Sequence, residues 1–411
     1  MRPQFILKFL TLILFFFTVP ASVFAQVMLQ GKVLDAESRK PVTNASVYFN
    51  NTQVGSVTND KGQFKLYAPR LYNDLVISAV GYERAIVNVT ESNSSYTVLL
   101  KEKANNLMEV RISSGKNNWQ KWGDLFFRLL LGKNSHITSS FKILNPEDIK
   151  FYYDEQEHYL EASSDKAILI KNALLDYTIH LDIEDFTYNI VDDELNYNSA
   201  VYFEGINKID KRRQLILSNN YLGSKMHFYR SLYSKTLESE NFSLYRYHAV
   251  KNLKKESVSR TVQLYRVKKM AAGAKGDELL KLSDNRDSAA YYKKILLQDD
   301  VLKWDTTQVD YRQYLTYDSL NHKMTFKFSD TLMVVYRRSF DANLGLFRSH
   351  VGNAQQATRV VELKTLLYLT NKDGVQLDPS GFCLPNAILM TGNMGDRRLA
   401  EQLPYDYVNS P

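Results

Sequence analysis

His158-Tyr159-Leu160-Glu161 sets a histidine and a carboxylate three residues apart, a pair that can supply two ligands to zinc. Zinc chemistry needs a loop that turns both side chains to one side, and a second histidine. Here the flanking residues alternate in period two. The motif therefore reads as strand, where positions i and i+3 point to opposite faces. The downstream candidates His180, His227 and His248 sit in no supporting pattern. No metal site is assigned.

Ser224, His227 and Arg230 form the other candidate, a polar cluster on an expected helix from Ser224 to Leu237. Serine and histidine side by side suggest nucleophilic catalysis, but that needs an orienting third group and an oxyanion hole, and neither can be identified. The expected roles are helix capping by Ser224 and structural service by His227 and Arg230. No catalytic or cofactor-binding residue is assigned, and no cofactor is expected. Cys383 is the one cysteine, so an internal disulfide, a four-cysteine zinc site and a CxxC redox pair are all excluded. Its neighbours Phe382 and Leu384 predict a buried, inert thiol.

The elements that must position these groups follow from periodicity. Between Gln30 and Leu100 about seven short alternating runs are separated by turn residues, the pattern of a small β-sandwich. β-Branched and aromatic residues dominate and no 3.6-residue stripe appears, which excludes a helical reading. In Asn59-Asp60-Lys61-Gly62 the glycine can take the positive φ that a tight turn demands.

The residues Gly31, Val33, Asp35, Pro41, Val42, Ala45, Val47, Gly55, Thr58, Asp60, Gly62, Phe64, Gly81 and Tyr82 carry a resemblance. In order and spacing they resemble the carboxypeptidase regulatory-like domain, a transthyretin-like sandwich common in exported proteins of Bacteroidota. Ser56 stands where the family usually has Thr. The resemblance implies a fold and an exported address; such domains accompany enzymes, receptors and proteins of no known activity alike.

Met1 to Ala25 reads as a secretory signal peptide: Arg2 and Lys8, a short apolar core from Phe9 to Val19, then Val23-Phe24-Ala25 before the cut. Its loss takes the formal charge from +7 to +5. That excess is too weak to argue nucleic-acid binding. Residues 102–116 are expected to be a linker. Beyond it, residues 117–411 read as an α+β region with antiparallel sheet, divisible into 117–250 and 257–411.

Trp119, Trp122, Phe126, Leu129 and Leu130 share one helical face that Gly132 terminates. Such a face can meet a membrane interface, but covering a core is the reading adopted. Strands are expected over Ile149–Tyr153, Tyr159–Ala162, Ala167–Ile170, Leu175–Phe186, Ala200–Phe203, Tyr311–Ser339 and Arg359–Leu369. Lys251 to Lys269 is a basic run with interleaved valines, a solvated strand or helix edge, or a face for lipid phosphates or acidic glycans.

Asn145-Pro146, Ile170-Lys171-Asn172, Asp176-Tyr177, Tyr221-Leu222-Gly223-Ser224, His227 to Leu232 and the tail from Gly392 to Tyr407 resemble uncharacterised Bacteroidota proteins. Those proteins usually have Gly where Asp176 stands. Outer-membrane barrels also alternate, but helical stretches interrupt the strands here and the chain ends Asn-Ser-Pro.

The fold class expected is mainly β, α+β overall: residues 28–101 a transthyretin-like sandwich, then the larger region. The function expected is binding or scaffolding in the cell envelope, periplasmic or outer-membrane-associated, with a protein or glycan partner and no transmembrane helix in the mature chain. The alternative is an envelope hydrolase, a peptidase or a glycosidase. A glycosidase needs two carboxylates at a set separation, and the 45 acidic residues single out no pair.

Overall fold

A computed structural model describes residues 27–89, 95–103, 118–132, 139–206, 210–274, 278, 280–320, 323–340, 359–384 and 386–409. The expected signal peptide and nearly all of the expected linker lie outside the described residues. The protein is mostly β. The described residues divide into two compact units, the first within 27–49, 54–79 and 83–101 and the second within 50–53, 80–82 and 102–409.

The first unit is built from two sheets. β1 (Val27–Asp35) lies between β4 (Gln63–Ala68), antiparallel, and β7 (Ser95–Leu100), parallel. The second sheet runs in the order β3 (Gly55–Val57), β2 (Ser46–Phe49), β5 (Asp74–Ser78), β6 (Ala85–Asn88). β4 alternates exposed and buried along its whole length, with Phe64, Leu66 and Ala68 turned inward. Leu29, Val33, Val47, Phe49, Leu75 and Ile77, each at most 1% exposed, complete the core. Burial on this scale contributes roughly 1.5–3 kcal/mol per side chain before the entropy of ordering is subtracted.

The positions that carry the family resemblance have structural occupations. Gly31 faces Phe64 across the ladder, and a Cβ there would stand 2.3 Å from the Tyr96 carbonyl oxygen and 2.6 Å from the Phe64 ring. Asp35 accepts from the Ser38 N–H (2.6 Å) and hydroxyl (2.7 Å), closing the turn after β1. The buried Thr58 hydroxyl accepts from the Ala45 N–H (2.9 Å) and donates to the Val42 carbonyl (2.7 Å). Gly62 has φ +70, as the turn requires.

The second unit has two hydrophobic clusters. The first packs α1 (Trp119–Leu131) onto a six-stranded sheet in the order β8 (Phe141–Ile143), β11 (Ile168–Asn172), β12 (Tyr177–Asn189), β10 (Tyr159–Ser164), β9 (Ile149–Asp154), with β13 (Glu194–Glu204) along the other side of β12. The tryptophan-bearing face of α1 is core. Trp122 stacks on Tyr153 at 4.9 Å, and Phe126, fully buried, sits between Phe151 (5.4 Å) and Phe186 (4.9 Å). Gly132, at φ +99, ends the helix.

α2 (Lys211–Tyr221) also joins this cluster, and the sequence does not announce it. Only Ile216, Leu217 and Asn220 are buried on it, too few to make a stripe. Its start is fixed by Asp210, whose carboxylate accepts from the Arg213 N–H at 2.8 Å.

The second cluster packs α3 (Lys225–Tyr233) against two further sheets. One runs β15 (Val301–Gln308), β14 (Phe242–Lys251), β18 (Leu332–Phe340), β19 (Arg359–Leu369), β22 (Ile388–Gly392). The other runs β16 (Leu315–Asp318), β17 (Lys323–Phe326), β20 (Val375–Asp378), β21 (Phe382–Leu384). The helix expected to reach Leu237 stops at Tyr233. Lys235 turns left-handed at φ +57 and the Thr236 N–H returns to the Ser231 carbonyl at 2.8 Å, a closure of the Schellman kind. Leu237 is still buried, delivered by the turn instead of the helix.

The basic run that began at Lys251 resolves as helix. β14 ends at Lys251, Asn252 caps α4 (Leu253–Ala271) through the Lys255 N–H, and α5 (Arg286–Leu296) packs back on α4 around Val258, Val262 and Ile295.

Asp176, where the resemblance implies a glycine, has a backbone that suits one. It sits between β11 and β12 at φ +57, a conformation that costs an L residue roughly 1 kcal/mol. Asp176→Gly is expected to raise stability by about 0.5 kcal/mol, the strain relief being offset by loss of the exposed Lys171 pair (2.9 Å) and by glycine's chain entropy. Urea titration of both proteins checks this; a loss above about 1 kcal/mol would show that the ion pair dominates.

Candidate functional site

Ser224, His227 and Arg230 do come together at the start of α3, but each is engaged in holding the chain. Ser224 is the N-cap and its hydroxyl accepts from the backbone N–H of His227 (3.2 Å), not from the imidazole. His227 is buried. Its Nδ1 accepts from the Gly223 N–H at 3.1 Å, which fixes the neutral tautomer, so Nε2–H donates to Glu240 Oε2 at 3.0 Å. The ring lies among Tyr221 (4.7 Å), Phe242 (4.8 Å) and Tyr336 (5.6 Å). Burial holds its pKa below the ordinary histidine value. Glu240 pulls the other way and is outweighed, and Arg230 and Arg397 add to the depression.

Arg230 spans three pieces of chain. Nε–H donates to the Ser380 carbonyl (2.9 Å), Nη2 to the Tyr405 carbonyl (3.1 Å), and the guanidinium lies 5.5 Å from the centre of the Tyr221 ring. Arg230 therefore anchors the tail and the turn between β20 and β21 to α3.

The zinc-like pair separates. His158 is not in a strand: it occupies the turn before β10 at φ +57, its Nδ1 3.3 Å from the Tyr153 hydroxyl, while Glu161 lies inside β10 opposite Tyr152. β10 begins at Tyr159, where the alternation put it, and the left-handed His158 before it reverses the chain. His180 pairs with Glu204 at 2.7 Å, and His248 lies across from Asp305 in the ladder. Among the described residues no three of His, Cys, Asp and Glu converge as a metal would require. Cys383 is buried and its thiol pKa is pushed up by burial, which keeps it protonated and a poor nucleophile near neutral pH.

Sequence reasoning missed the role of Arg397-Arg398. Arg397 Nη1 donates to the Leu222 (2.9 Å) and Asn220 (3.3 Å) carbonyls at the end of α2, and its Nε pairs with Glu401 at 3.3 Å. Arg398 Nη1 donates to the Leu129 carbonyl (2.6 Å) at the end of α1. One dipeptide thus caps two helix carboxyl ends, where cations are favoured. No signal in the sequence could have found this, because α2 itself leaves no period to detect.

Comparison with known proteins adds one assignment. Two solved structures resemble the chain only distantly. A 9R-lipoxygenase from Cyanothece PCC8801 is 12% identical over 53% of this chain and 49% of its own, at a TM-score of 0.17. A putative membrane-associated protein of unknown function from Bacteroides fragilis NCTC 9343 is 8% identical over 90% and 98%, at 0.16. The chain spans about half the length of the lipoxygenase, and at these scores neither likeness carries an argument. Among curated proteins no relative matches. The CarboxypepD_reg-like domain model matches residues 29–112, so the first unit carries a carboxypeptidase regulatory-like domain.

Proposed function

We propose that this is a non-catalytic binding or scaffolding protein of the bacterial cell envelope, exported by its signal peptide and built around the carboxypeptidase regulatory-like domain. The supporting observation is the employment of its polar groups. Ser224, His227 and Arg230 spend their polar atoms on the cap, on Gly223 and Glu240, and on the carbonyls of Ser380 and Tyr405. In the first unit, Asp35 and Thr58 are likewise committed to turns and inter-strand closure. Groups already locked in structural bonds must break them to do chemistry, whereas a fixed scaffold is what recognition by loops and sheet edges needs.

The test is turnover and metal content of the mature chain, residues 26–411. Against panels of peptide and glycoside substrates the expected result is no activity above buffer and no stoichiometric zinc. Hydrolysis lost on His158→Ala or Glu161→Ala would replace this reading with a peptidase.

A further inference from the structure

The charge of the chain is concentrated in one place. Lys251 to Gln298 contains twelve Lys and Arg against five Asp and Glu, a net +7 that equals the formal charge of all 411 residues. This segment is the α4–α5 hairpin, an excursion between the neighbouring strands β14 and β15. Its own core is small, centred on Val258, Val262 and Ile295.

The hairpin also exposes apolar side chains that its packing does not use. Leu253 is 71% exposed, Leu297 77% and Val250 57%. They meet at one corner. Asn252 Nδ2 donates to Gln298 Oε1 (3.2 Å) and to the Asp299 carbonyl (3.2 Å), which ties the start of α4, beside Leu253, to the end of α5, beside Leu297. Around the corner stand the exposed Lys251, Lys254, Lys293 and Lys294, and the Lys254 ammonium lies 5.6 Å from the centre of the exposed Tyr291 ring. Three carboxylates share the region: Asp299, Asp300, which pairs with Lys255 at 2.8 Å, and the exposed Glu256 in the first turn of α4.

We propose that this corner is a docking surface for an anionic phospholipid bilayer. Leucines inserted at headgroup depth leave water. Lysine stems reach past them to lipid phosphates, and a tyrosine with one apolar face suits the same depth. The lysine field supplies the complementarity, since each near-surface lysine strengthens attachment to an anionic leaflet. Among the described residues no helix is long and apolar enough to cross a membrane, so this attachment is peripheral. A polyanionic glycan would use the lysines alone and leave the leucines idle. The inference rests on the envelope reading only for where such a bilayer is met.

The experiment is co-sedimentation of the mature chain with vesicles of phosphatidylcholine containing phosphatidylglycerol, and of phosphatidylcholine alone. Binding is expected to the anionic vesicles and to fall steeply near 1 M salt, where screening shortens to about 3 Å. Leu253→Ala with Leu297→Ala should weaken it about tenfold. Lys293→Gln with Lys294→Gln should weaken it about fivefold per lysine. Leu320→Ala, a 90% exposed leucine outside the hairpin, should leave it unchanged.

All these positions are exposed, so unchanged melting confirms that each variant is folded. Binding indifferent to both double variants overturns the proposal, as does equal, leucine-independent binding to heparin. Failure here leaves the turnover result untouched. Hydrolysis in that assay would remove the binding-protein reading without altering vesicle attachment.

Discussion

Gly31→Ala is expected to destabilise the first unit by about 3 kcal/mol, at the upper end of what overpacking costs. The added Cβ would meet the Tyr96 carbonyl oxygen at 2.3 Å and the Phe64 ring at 2.6 Å. The ring can rotate away, but the carbonyl cannot. It belongs to β7, which is hydrogen-bonded in parallel to β1 from Gln30 to Asp35, so relief requires that pairing to open. Urea unfolding of the full mature chain, followed by limited proteolysis within residues 27–101, measures the loss. Adding Phe64→Leu should recover none of the part due to the carbonyl. A Gly31→Ala protein as stable as the parent would mean that the two strands are not in this register. The position needs glycine because two neighbours occupy the space of a side chain.

His227→Leu is expected to cost about 2–4 kcal/mol at pH 7.5. The change leaves the Gly223 N–H buried without its acceptor, removes the Glu240 bond, and puts a branched aliphatic where a flat ring packs against Tyr221 and Phe242. The same site gives a pH signature. Burial holds the folded-state pKa of His227 below the unfolded value of about 6.5.

The unfolded chain therefore takes up the proton first. The contribution is fully present above about pH 6.5 and is lost as pH falls toward the folded value, with a slope of up to about 1.4 kcal/mol per pH unit. Protonation would also set an Nδ1–H against the Gly223 N–H. Melting of parent and variant at pH 7.5 and 5.5 should show the gap between them narrowing in acid. A gap that stays constant or widens would mean that the Glu240 attraction outweighs burial.

These two cases show different degrees of legibility. The first unit could be read almost strand by strand, because each run turns one face to the core and the period of two survives in the residues themselves. Gly62 and Thr58 sit where the turn and the closing bond need them. In the second unit β9 to β13 and β16 to β19 were legible for the same reason, while β14, β15, β21 and β22 were not read, and α1 was legible because its aromatic stripe is wide and continuous. α2 was not: three buried positions on a polar helix leave no period to detect. The excess length assigned to α3 came from Leu237, an apolar residue in helical phase that a left-handed Lys235 delivers by another route.

The polar cluster was legible as a cluster and not as a purpose. Spacing put Ser224, His227 and Arg230 on one stretch of helix. Their partners Glu240, Ser380 and Tyr405 are distant in sequence, and only folding brings those carbonyls and that carboxylate within reach. The same holds for Arg397 and Arg398, whose targets lie at the ends of helices far back in the chain.

The sequence by itself determined the β-rich class, the sandwich and its turns, because burial of alternate side chains and the φ demanded of a turn are local properties. Tertiary structure alone decided which polar groups are spent. A hydrogen bond to a backbone carbonyl depends on where a remote segment arrives, and no residue type or spacing records that.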